Sequence, residues 1–93
     1  MTAVSVTAGH IAKGIRQDAE RCAIALALRD AFPGIAYVMA SGDGIMLQPS
    51  AADRAEEAEI TPPPEVAAFV KAFDDGNYVE PFTFELDYPE VAA

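Results

Sequence analysis

The chain has no tryptophan, one cysteine, one histidine and only six lysines and arginines among its 93 residues. Each scarcity removes a class of function. A lone Cys22 closes no internal disulfide, and its place in an apolar run reads as a small buried thiol, so a reducing compartment is the expectation. One cysteine and one histidine fall short of the four ligands of a usual zinc site. They also make a poor Cys-His catalytic pair, because an apolar run disfavours the thiolate. No apolar stretch reaches the roughly 18 residues that span a bilayer. The opening MTAVSVTAGHIAKG lacks the basic-then-apolar order of a signal peptide, so the cytoplasm is expected and membrane insertion is not. With so few cations, direct binding to nucleic-acid phosphates is not expected either. No cofactor motif is present, and no cofactor is expected.

What the chain does have is apolar content and acid. It is 52% hydrophobic and 23% charged, a globular composition. Its length suits one domain over residues 1–93, with a frayed tail at 90–93. A core of this size leaves a thin margin of stability, which a homodimer contact would widen. The net charge of −9 is unevenly spread. Residues 1–40 carry four cations against three acids, whereas residues 41–93 carry Arg54 and Lys71 against twelve acids. A basic partner, or simple solubility, is what such a half suits.

The stretch from Asp18 to Phe32 organises the rest. Cys22 to Leu28 is seven apolar residues in a row, so a helix there has no polar face and is covered on more than one side. Burying Ile24, Leu26, Leu28 and Phe32 is worth about 1.5 to 3 kcal/mol each, and Leu26 is the substitution expected to cost most. Asp18, or a residue just before it, is the expected cap; Pro33 and Gly34 end the helix.

Alternation predicts a first strand at residues 3–7 with Val4 and Val6 inward. Thr7 can cap a short helical turn over residues 10–14. Ile35 to Ala40 is apolar on both faces, which predicts a central strand. Ser41-Gly42-Asp43-Gly44 joins it to Ile45–Gln48 as a hairpin turn, not a phosphate loop. The stretch from Pro49 to Thr61 is either an exposed loop with a little helix or a second hairpin whose strand lies near residues 57–60, and the strand is the preferred reading. Val66, Phe69, Val70 and Phe73 at i, i+3, i+4 and i+7 predict a helix over residues 65–74, stopped by Gly76. Phe82, Phe84, Leu86 and Tyr88 alternate with polar residues and predict a last strand over residues 81–88. The fold class is α+β: a mostly antiparallel sheet of four or five strands with two main helices packed on one face.

Asp74-Asp75-Gly76-Asn77 lacks the ligand spacing of a calcium loop and reads as a helix end. Asp74 and Asp75 nevertheless lie where the helix dipole disfavours negative charge. They are kept for a basic partner or as turn formers. With Tyr78, Glu85, Asp87 and Tyr88 they form the candidate partner-binding set, and Tyr37 is a further tyrosine around which an uncovered patch could lie.

The opening VTAGHIAKGIRQDAERCAIALAL and the closing PPEVAAFVKAFDDGNYVEPFTFELDYP resemble a group of small uncharacterised proteins of actinobacteria and their bacteriophages. The resemblance covers about two thirds of the chain, with residues 35–61 matching only as a variable hairpin region. Ala23 stands where that group often has proline. The resemblance implies origin more than mechanism, and carries no catalytic residue. For a phage protein without catalytic equipment, it implies binding to a host protein, in host takeover or superinfection exclusion. The alternatives are an acidic nucleic-acid mimic that inhibits a host defence or DNA-binding protein, and a small enzyme using His10 or Cys22.

Overall fold

The structure, a computed structural model, describes residues 2–48 and 58–86. Asp87, Tyr88, the tail at 90–93 and most of the stretch from Pro49 to Thr61 lie outside the described residues. The elements run β1 (Thr2–Val6), α1 (Ala8–Lys13), α2 (Ala23–Ala31), β2 (Tyr37–Ala40), β3 (Ile45–Gln48), β4 (Ala58–Ile60), α3 (Pro64–Asp74) and β5 (Phe82–Leu86). This is an α+β architecture.

Period-two patterning shapes the two terminal strands. β1 pairs antiparallel with β5, setting Val4 opposite Phe84 and Val6 opposite Phe82. Val4, Val6, Phe84 and Leu86 are buried. On the other face Ser5 and Thr83 share a hydrogen bond of 3.2 Å. β3 sits between β2 and β4, antiparallel to both. The short strand expected near residues 57–60 is therefore present as β4, zipped onto β3.

The described strands form two sheets, of two and three strands, where a single sheet of four or five was expected. The free edge of β2 is taken by the 18–22 turn: the Ala40 amide donates to the Ala19 carbonyl at 2.8 Å. Among the described strands β2 thus lies at the edge of its sheet, against the expectation that Ile35–Ala40 would be central. Its outward residues Tyr37 and Met39 are half-buried, and the apolar run reflects cover by loop and helix.

The central helix is shorter than its sequence suggests. It spans nine residues from Ala23, with Cys22 as its cap. Asp18 does cap, but a local turn: its carboxylate accepts from the Glu20 amide at 3.0 Å, the bond by which Asp competes with helix formation. Gln17 takes a left-handed backbone with φ 60°. α2 packs against both β1 and β2, so it bridges the two sheets, which is why Ala23, Ile24, Ala25, Ala27 and Leu28 are all buried. Leu26 is only half-buried and is not the anchor that the apolar run implies.

α3 buries the predicted stripe Val66, Phe69, Val70 and Phe73. Phe69 meets Phe82 of β5 at 5.0 Å between ring centres, and Phe82 meets Phe84 at 5.7 Å. At its C-terminus, Gly76 (φ 80°) donates to the Phe73 carbonyl and Asn77 to the Ala72 carbonyl, the paired bonds of a Schellman motif. Gly14 marks a close approach. A β-carbon there would lie 2.6 Å from the Ala23 amide nitrogen and 2.9 Å from the Phe73 ring.

Candidate functional site

Two regions are candidates for a functional role, and the first is the one the sequence singles out. Asp74 is half-buried at the end of α3, where its carboxylate accepts the Gln17 amide at 2.8 Å and so holds the left-handed turn. Its place at an unfavourable helix end thus has an internal use. Asp75 is the exposed C-cap residue. Tyr78 follows in the extended link to β5 and is 84% exposed, with no hydrogen bond to its hydroxyl among the described residues. Glu80 is exposed in the same link, and Glu85 projects from the outer face of β5. Tyr37 is engaged differently, donating its hydroxyl to Glu20 at 2.7 Å.

The second region escapes a reading of the sequence. Thr7 begins α1, and its hydroxyl accepts from the His10 amide at 3.2 Å. His10 completes a capping box by an uncommon route, its Nδ1 accepting from the Thr7 amide at 3.0 Å. An Nδ1 that accepts carries no proton, so the ring proton sits on Nε2, which donates to Asp30 Oδ2 at 2.6 Å. Asp30 comes from the last turn of α2, twenty positions away. A cleft of about 390 Å³ opens here, lined by Thr7, Gly9, His10, Lys13, Leu26 and Arg29 together with Asp30. A neighbouring hollow shares Thr7, His10 and Asp30 and extends along β1. The capping box was half legible, since Thr7 was a visible cap. The pairing with Asp30 was not, because no local spacing signals it.

His10 and Cys22 are not brought together. Both nitrogens of the His10 ring are hydrogen-bonded, and Cys22 lines neither hollow. The Cys22 thiol is buried, 3.9 Å from the Ala40 carbonyl. Burial pushes its pKa up, outweighing the backbone amides of Ala25 and Ile24 that favour the thiolate. Among the described residues, no three His, Cys, Asp or Glu side chains converge as metal ligands. None of the described helices is long and apolar enough to cross a membrane.

Comparison of the chain with family models, with curated proteins and with solved structures finds no match. The described structure is a small acidic α+β domain built on two antiparallel sheets, with an exposed tyrosine among carboxylates and a separate histidine-aspartate cleft.

Proposed function

We propose that the protein works as a non-enzymatic binding module, whose partner is a protein with a basic, groove-like surface. In the phage setting that the sequence resemblance implies, that partner belongs to the host. The observation that carries this reading is Tyr78, 84% exposed, set in a link whose charged residues, Asp75 and Glu80, are both acidic. Tyrosine supplies a large, rigid contact area and is enriched among residues that dominate binding energy. The carboxylates around it favour a cationic rim on the partner and steer the encounter. Asp75, Tyr78 and Glu85 are the residues proposed to touch it; Asp74 acts by holding the turn behind them. Asp87 and Tyr88, the remaining members of the candidate set, lie outside the described residues.

The test is capture from host lysate at low and moderate salt, comparing the wild-type chain with Tyr78→Ala. One dominant protein retained by wild type at moderate salt, and lost with the variant, is the expected result. Equal retention by the variant would remove Tyr78 from the interface and the reading with it. The twelve acids of the second half favour a second reading, mimicry of nucleic acid. Mimicry requires many basic proteins, all released as salt rises.

A further inference from the structure

We propose that the cleft between α1 and α2 is a binding site for a small organic anion. Its phosphate or carboxylate group sits between Lys13 and Arg29, and its body lies against Leu26. Cations are scarce in this chain, six in all, yet two of them line one hollow. Both are exposed, and neither forms an ion pair among the described residues. Arg21, by contrast, lies 4.0 Å from Asp18.

The one carboxylate of the cleft wall is hydrogen-bonded to the histidine beside it. Asp30 Oδ2 accepts a hydrogen bond from His10 Nε2 at 2.6 Å, and neither Lys13 nor Arg29 lies within ion-pair distance of that carboxylate. The apolar component is Leu26, half-buried on a helix whose neighbouring positions Ala25 and Ala27 are buried. Leu26 lines the hollow and is the largest apolar side chain to do so. At Gly9 the nearest heavy atom to an added β-carbon is the Thr7 hydroxyl at 3.6 Å, which leaves the cleft wall low on that side. A volume of about 390 Å³ falls in the range that takes small ligands, roughly 300 to 1,000 Å³. Arginine matches the planar, two-oxygen edge of phosphate or carboxylate, and lysine adds a point charge. The site is independent of the Tyr78 surface, and either can fail without the other.

Amide chemical shifts of the full chain, followed during titration with inorganic phosphate, citrate and AMP, test this directly. A saturable response centred on Gly9, His10, Lys13 and Arg29 is expected for at least one probe. Affinity should fall about tenfold or more in the double variant Lys13→Gln, Arg29→Gln, as loss of charge-assisted bonds implies, and stay unchanged in Lys71→Gln. AMP above phosphate and citrate would assign a phosphorylated ligand; citrate above AMP would assign a carboxylate. Unchanged thermal unfolding verifies that the variants fold, as expected for two exposed positions. No saturable response to any probe overturns the proposal, as does equal affinity in the double variant. A self-associated state that the double variant abolishes also overturns it, since acidic groups of a second copy would then fill the cleft.

Discussion

Leu26 and Leu28 stand two positions apart on α2 and meet different surroundings. Leu28 is fully buried, whereas Leu26 faces the cleft with part of its side chain open. Large-to-small substitution in a packed core costs about 2 to 5 kcal/mol. Leu28→Ala and Ile24→Ala should therefore each lower urea-unfolding stability by that amount, and Leu26→Ala by less than half as much. Equal costs would mean that the cleft closes in solution. Cys22 adds a pH dependence whose sign is set by burial. The folded thiol keeps its proton to higher pH than an unfolded thiol, which ionises near about 8.5. Its contribution is thus complete below that pH and is lost as pH rises toward the folded pKa. The stability difference between wild type and Cys22→Ala should shrink steadily above about pH 8.5, and a difference that stays flat into strong alkali would contradict this.

At the scale of elements, the join between α3 and the 15–22 turn decides where α2 begins. The Asp74 carboxylate accepts the Gln17 amide, while Gly76 ends α3 in a left-handed conformation. Asp74→Ala should cost about 1 kcal/mol through the lost hydrogen bond. Asp74→Asn, which keeps an acceptor and relieves charge at the helix C-terminus, should be near neutral. Both are read by thermal unfolding, and a large loss in the asparagine variant would mean that the charge itself is needed. This join explains why the helix boundary was not legible. Asp18 is a strong cap by residue type, but its side chain closes a turn onto Glu20, and Ala19 is used to cover the β2 edge. Tertiary demand overrode local preference there. By contrast α3, β3 and the Thr7 cap match their sequence signals closely, because each is set by contacts within a few residues.

The whole molecule carries a net charge of −9 and, among the described residues, one Lys or Arg ion pair, Arg21 with Asp18, besides the hydrogen bond between neutral His10 and Asp30. Such a balance opposes compaction through self-repulsion. The melting temperature should therefore rise as sodium chloride is raised toward about 0.15 M, where the screening length is about 8 Å; a fall would mean that favourable ion pairs dominate. On this scale, too, sequence and tertiary structure divide the work. Apolar periodicity, turn residues and composition suffice for the α+β class, the buried faces of β1, α3 and β5, the β2–β3 hairpin and the lopsided charge, since those follow from neighbours along the chain. The division into two sheets, the late start of α2, the internal use of Asp74 and the meeting of His10 with Asp30 depend on partners far apart in sequence. Only packing in three dimensions decides those, because it sets which edge is covered and which donor finds an acceptor.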